Sequence, residues 1–233
     1  MKGMRSIRFF LAAAAVFLSF NVAAWAQSQS PTVQAQNSAP PPIQGSPLAG
    51  IHYGEHRWEV YGGLAYSHFN AGPSLIQGSN LGGFDAEVAR FFTPRWAAAA
   101  SVRGYYGTSG VVANTYGIEG PFVSEHMFMA GPEYRGPSNE HVSMTFHALV
   151  GGAYGNFEHA IGNVPPGNLG LFSNQLTFGS ALGGSIDLNR SPRLAFRISP
   201  DATLTNFGSA GIKEQFAISV GLVYRLGKSI YKK

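Results

Sequence analysis

Seven histidines, at 52, 56, 68, 126, 141, 147 and 159, are the side chains best suited to move a proton near neutral pH, and no cysteine is present to add a thiolate. His147 has the most suggestive neighbours. Ser143 and Thr145 precede it at intervals of two, the spacing at which side chains share one face of a β-strand, so its imidazole is a candidate base for either hydroxyl. A hydrogen-bonded histidine in a polar interior is the plainer reading. The acids form a second pattern. Glu59, Asp85, Glu87, Glu125, Glu133, Asp187 and Asp201 share their alternating parity with Arg103, Arg135, Arg197 and Arg225. A hydrolase of the two-carboxylate kind needs a pair of acids aimed at a substrate cleft, whereas acids interleaved with arginines predict ion pairing. The chain has no phosphate-cradling glycine motif, no HExxH, no GxSxG and no metal-spaced Cys/His cluster. No catalytic residue, metal ligand or cofactor is therefore assigned.

Charge narrows the class further. The 233 residues carry 16 Lys and Arg against 12 Asp and Glu, a formal charge of +4. Lys2, Arg5 and Arg8 precede an apolar run, and without them 13 bases face 12 acids. Setting aside Lys228, Lys232 and Lys233 near the C-terminus leaves 10 against 12. On this distribution no basic patch for phosphates is expected, and a nucleic-acid partner is excluded. Only 12% of residues are charged, about half of what a soluble domain carries. Such a chain hides its surface or meets lipid.

Residues 1–26 read as a cleaved secretory signal. A basic MKGMRSIR is followed by the apolar FFLAAAAVFLSF, and Ala24 and Ala26 stand at the small-residue positions of a cleavage site. The apolar stretch is too short for a spanning helix, which needs about 20 residues. Residues 27–54 are rich in Gln, Ser, Pro and Ala and read as a flexible periplasmic linker. Residues 55–233 are expected to form one all-β domain.

Within that domain the period of hydrophobicity is two. Phe216, Ile218, Val220, Leu222, Tyr224 and Leu226 alternate with Ala217, Ser219, Gly221, Val223 and Arg225. The same alternation predicts eight strands at about 57–69, 83–92, 95–106, 124–135, 141–154, 175–188, 193–204 and 215–227. Short turns at Thr93-Pro94, 136–139 and 189–192 alternate with long connections at 70–82, 107–123 and 155–174 and a medium one at 205–214. Short turns on one side and long loops on the other are the pattern of an antiparallel up-and-down transmembrane β-barrel, with turns in the periplasm and loops outside.

The two faces distinguish this barrel from a soluble one. One parity carries Leu, Ile, Val, Phe, Tyr and Trp; the other carries Gly, Ala, Ser, Thr and nearly all strand charges. A soluble barrel reverses that arrangement. Arg90 is the one charge on the bulky parity, next to a turn. Trp58, Phe91, Phe92 and Trp96 at the turn ends and Tyr66, Phe69, Tyr105, Tyr106 and Tyr154 at the loop ends are expected to form interfacial girdles. The lumen is expected to hold a structural charge network of Glu59, Asp85, Glu87, Arg103, Glu133, Asp187, Arg197, Asp201 and Arg225. Turn spacing sets Arg103 near Asp85 and Glu87. Closure of the first strand on the last sets Glu59 near Arg225.

In these features residues 57–227 resemble the eight-stranded outer-membrane β-barrels of Gram-negative bacteria, the porin-like or opacity-protein-like group. The last strand carries the second part of the resemblance. Ser219, Gly221, Tyr224 and Leu226 stand where that family has a polar residue, a glycine, an aromatic or apolar residue and a terminal aromatic. Leu226 departs from the family's aromatic, and seven residues follow it. The resemblance implies recognition by the barrel assembly machinery and periplasmic chaperones, and contact with outer-membrane lipids including lipopolysaccharide. Related barrels serve as anchors, adhesins, conduits and lipid-modifying enzymes. Barrel lipid-A deacylases carry a His–Ser dyad with Asn beside the serine, whereas His126 is followed here by Met127, Phe128 and Met129, and His68 by Phe69 and Asn70. The expected role is structural or surface-interacting and non-enzymatic. A lipid-modifying enzyme and a conduit for small hydrophobic molecules are the alternatives.

Overall fold

Alternation of bulky and small residues makes each segment a two-faced ribbon, and eight such ribbons bury their small-residue faces by curling into a closed cylinder. In a computed structural model, residues 56–75, 77–208 and 211–229 are described; the proposed signal and linker lie outside them. The strands are β1 (His56–Phe69), β2 (Ser79–Phe91), β3 (Trp96–Thr108), β4 (Phe122–Ser138), β5 (Val142–Asn156), β6 (Gln175–Asn189), β7 (Leu194–Thr205) and β8 (Lys213–Ser229). Each pairs antiparallel with its sequence neighbour, and β1 pairs with β8 to close the barrel. Full closure satisfies every strand edge within the sheet, the condition for a β-structure in lipid.

Several strands run further than their hydrophobic pattern suggests. β2 begins at Ser79, because residues 79–82, which read as loop, continue the ladder with β1 from Phe69 to Tyr66, and Gly82 also lies opposite Tyr106 of β3. A Cβ at Gly83 would collide with the carbonyl oxygen of Gly104, so the glycine permits a close approach of two strands. β4 continues through Gly136 and Pro137 to Ser138, at the expense of a register shift between Arg135 and Ser138.

The outer face is apolar. Leu64 and Leu176 are 79% and 73% exposed, and Phe128, Val150, Phe196, Phe216 and Val220 are exposed with them. A continuous apolar surface of this kind is stable against hydrocarbon and unstable in water. Not every strand-end aromatic joins it. Trp58, Phe92, Trp96, Tyr66, Tyr106 and Tyr154 face outward, whereas Phe91, Phe69 and Tyr105 are buried inside. Their parity explains the correction: Phe91 follows Asp85, Glu87 and Ala89 on the inward face, and Tyr105 follows Arg103.

Candidate functional site

The interior has two tiers, and the sequence order of each strand decides which tier a residue joins. The turn-side tier is charged. Glu59 enters from β1, Asp85 and Glu87 from β2, Arg103 from β3, Arg135 from β4, Asp187 from β6, Arg197 and Asp201 from β7 and Arg225 from β8, all buried. Arg197 holds Asp187 through Nε–Oδ1 at 2.7 Å and Nη2–Oδ2 at 3.1 Å, a two-pronged pairing. It also reaches Glu87 at 3.2 Å and Glu59 at 2.9 Å. Arg225 donates to Asp187 at 2.7 Å, to Ser143 at 3.1 Å and to Asn189 at 2.8 Å, and lies 3.4 Å from Glu59. Arg135 donates to Glu59 at 2.8 Å while its guanidinium lies 3.5 Å above the Phe91 ring. Glu59 therefore has an arginine from each of β4, β7 and β8 beside it.

A second cluster sits alongside. Arg103 bonds Asp201 at 2.7 Å and lies 3.4 Å from Asp85, its register partner across β2 and β3. No ion pair forms between Arg103 and Glu87 among the described residues; Glu87 turns to Arg197 instead. Ser219 accepts a hydrogen bond from Tyr61 at 2.9 Å and donates to Asp85 at 3.0 Å.

Two acids stand apart from this matching of charges. Glu133 and Glu125 are both fully buried, yet neither lies in an ion pair among the described residues. Both carboxylate oxygens of Glu133 lack a hydrogen-bond partner, and Glu125 receives one long bond, from Gln215 at 3.4 Å. Five of the seven lumen acids lie in an ion pair with an arginine, and these two do not among the described residues. On β4 the inward residues Met127 and Met129 follow Glu125, so the strand itself presents apolar surface between its two buried acids.

His147 does not form the base–hydroxyl pair its spacing allowed. Its Nε2 bonds Asp201 Oδ1 at 2.8 Å, whereas Thr145 pairs with Ser185 at 2.5 Å and Ser143 with Arg225 and Asn189. The shared strand face brings the three residues to one side, but each finds its partner on another strand: Ser185 lies directly opposite Thr145 on β6, and Asp201 reaches His147 from β7.

The loop-side tier packs apolar side chains around Glu125 and Gln215 and was not read from the sequence. Leu81, Val123, Met127 and Leu149 are fully buried there, and above them Phe69, Phe157, Phe172 and Phe207 close the mouth. The ring of Phe157 lies 5.3 Å from Phe207 and 5.7 Å from Phe172, both edge-on. Backbone bonds lock the loops that carry them: Phe172 donates to the carbonyl of Ala71 at 3.0 Å, and Asn174 Oδ1 accepts from Phe157 at 2.7 Å. A 3₁₀ turn at Pro166–Leu169 ends at Gly170, whose φ of 74° suits glycine. A signal for this cap does exist in the sequence, since Phe157, Phe172 and Phe207 stand near the ends of the 155–174 and 205–214 connections.

The four residues of the last-strand pattern lie on β8. Gly221 is where the seam is tightest, since a Cβ there would collide with the carbonyl oxygen of Gly62. Tyr224 and Leu226 face outward at the turn-side rim.

No protein-family model and no curated protein matches the chain. Solved structures do. Neisserial surface protein A matches with a TM-score of 0.51 at 9% identity, over 72% of this chain and 97% of that one. The outer membrane protein OprG from Pseudomonas aeruginosa matches with a TM-score of 0.50 at 11% identity, over 76% and 98%. This chain has the fold of the eight-stranded outer-membrane β-barrels. With the apolar belt described above, that fold makes it a membrane-spanning barrel: lipid against the bulky face, ion pairs and small residues within. The barrel's loop-side polar groups at lipid level include Tyr106, which lies 2.9 Å from His126 Nε2, and Tyr66, which donates to Asn80 at 2.7 Å.

Proposed function

We propose that the chain is an integral outer-membrane barrel, exported by a cleaved N-terminal signal, with a structural or surface-interaction role and no enzymatic one. The observation that carries this reading is the filled interior. Ion pairs cross the turn-side tier and four phenylalanines pack together at the loop side, as expected of an eight-stranded barrel filled by side chains, and the outward surfaces are what can engage a partner. The geometry at His147 supports the non-enzymatic part, because its imidazole is held by Asp201 and not by a hydroxyl. Lipopolysaccharide and other outer-membrane lipids are the partners of the belt. The residues Ser219, Gly221, Tyr224 and Leu226 serve assembly by the barrel assembly machinery, after escort by periplasmic chaperones.

Lipid-A mass spectra from cells with and without the gene test the reading. Identical spectra are expected; a missing acyl chain or an added group in one of them would replace this role with a lipid-modifying one. A conduit for small hydrophobic molecules is the second reading, favoured by the apolar Leu81, Val123, Met127 and Leu149 under the cap. Faster uptake of a small apolar dye by cells that make the protein would favour it.

A further inference from the structure

Once the lumen has claimed its charges, the ones left outside are sorted by end. The turn-side rim carries Arg57, Arg90, Arg95, Arg190 and Arg193, all exposed and none in an ion pair among the described residues. Its one exposed acid among the described residues, Glu140, is held by the adjacent His141 at 3.2 Å. The loop-side rim is the reverse, with Glu119, Glu158 and Glu214 against Lys213. The absence of a basic patch expected from the sequence total is therefore corrected: the acids that balanced these arginines in the count lie inside the barrel.

We propose that this turn-side rim binds the phosphates of anionic phospholipids in the leaflet around it. The inference rests on the membrane-spanning reading above. The arginines form an arc. Arg190 and Arg193 lie in the turn joining β6 to β7, and the carbonyl of Arg193 accepts from Arg225 of β8 at 2.8 Å. β8 pairs with β1, where Arg57 stands at the start, and Arg90 lies opposite Trp58 in the next pair, with Arg95 in the turn beyond.

Arg90 decides in favour of a lipid over a soluble acidic protein. It projects from the lipid-facing parity, with its guanidinium 5.3 Å from the Trp58 ring and 5.5 Å from Phe92. Trp96, stacked edge-on at 5.0 Å against Tyr134, completes an exposed aromatic belt at the same level. Aromatics of this kind settle at the headgroup boundary, and a long cationic side chain among them extends its charge to the phosphates. A guanidinium offers a phosphate two parallel donors. A soluble partner would reach the turn arginines but would have to displace lipid to reach Arg90.

Trp58 and Trp96, the two tryptophans outside the proposed signal, both lie at this rim and report the lipids beside it. The test uses the full mature chain in liposomes that mix phosphatidylglycerol with phosphatidylcholine, one of the two brominated high on its acyl chains. At about 10 mM salt we expect phosphatidylglycerol to be preferred about fivefold next to the tryptophans, the factor expected for one juxtamembrane cation per contact. The preference should fall towards unity at about 1 M salt, where charge is screened within a few ångströms. It should fall likewise in the triple variant Arg90→Gln, Arg95→Gln, Arg193→Gln, with heat-modifiable gel mobility showing that the variant is folded. Equal quenching by the two lipids, a preference indifferent to salt, or one that survives in the folded triple variant would each overturn the proposal. Retention of soluble polyglutamate by the detergent-solubilised barrel, without any lipid preference in liposomes, would reassign the rim to an acidic protein and overturn it too. Failure to insert at all, with no quenching by either lipid, would overturn the membrane-spanning reading as well.

Discussion

Arg135 on β4 reaches across the lumen to Glu59 on β1, with Nη2 2.8 Å from Oε1, although the two strands share no ladder. A bond spanning the barrel couples strands that the sheet joins only through β2 and β3, or through β5 to β8. Removing one partner of a buried ionic group leaves charge uncompensated.

Glu59→Gln is accordingly expected to destabilise the barrel by about 3 kcal/mol, because Arg135, Arg197 and Arg225 all lose their shared carboxylate. Arg135→Gln should cost less, since Glu59 keeps two arginines. Urea unfolding in detergent micelles, followed by the heat-modifiable gel shift, gives both values; the reverse order would contradict the role of Glu59 as a hub.

Exchanging the charges of Glu59 and Arg225 should not restore stability. An arginine at 59 would face Arg135 and Arg197, and an acid at 225 would face Asp187, which Arg225 now holds at 2.7 Å. Recovery of the single-variant loss in the double reversal, read in the same unfolding assay, would show that the pair acts in isolation.

A double-mutant cycle should rank the contacts of Arg103. Arg103→Gln with Asp201→Asn is expected to give a coupling of about 1–3 kcal/mol, and Arg103→Gln with Asp85→Asn a smaller one. The 2.7 Å and 3.4 Å distances to the two acids set that order.

Gly221→Val should block closure. The added Cβ falls on the carbonyl of Gly62 across the β1–β8 seam, where backbone and not a flexible side chain must move. In a refolding assay the heat-modifiable fraction is expected to drop severely, whereas Gly62→Ala, where a Cβ meets open space, should refold as the parent does.

Loosening the cap should leave the barrel standing. Phe157→Ala removes the ring shared by Phe69, Phe172 and Phe207 and is expected to speed proteinase K cleavage within 157–174 about tenfold. The temperature of the gel shift should change little, since the strands below keep their ladders.

The amino-acid order by itself determined the number of strands, their connections and the two faces of each strand, with the strand-end Phe69, Phe91 and Tyr105 turning inward against expectation. A period of two forces alternate side chains to opposite sides whatever the neighbours do, and loop lengths then allow one up-and-down order. Register followed where a turn was short, which is why Arg103 and Asp85 were legible as partners from their distance to Thr93-Pro94. Glu59 and Arg225 were legible from closure alone. Only the tertiary structure decided what happens across the lumen. Arg135 and Arg197 reach Glu59 from strands that no turn relates to β1, and His147 turns to Asp201 two strands away, because the curvature of eight strands sets which side chains meet. The isolation of Glu133, the phenylalanine cap and the arginine rim have the same origin: a sum over the chain cannot tell which charges a closed cylinder turns inward and which it leaves to the lipid.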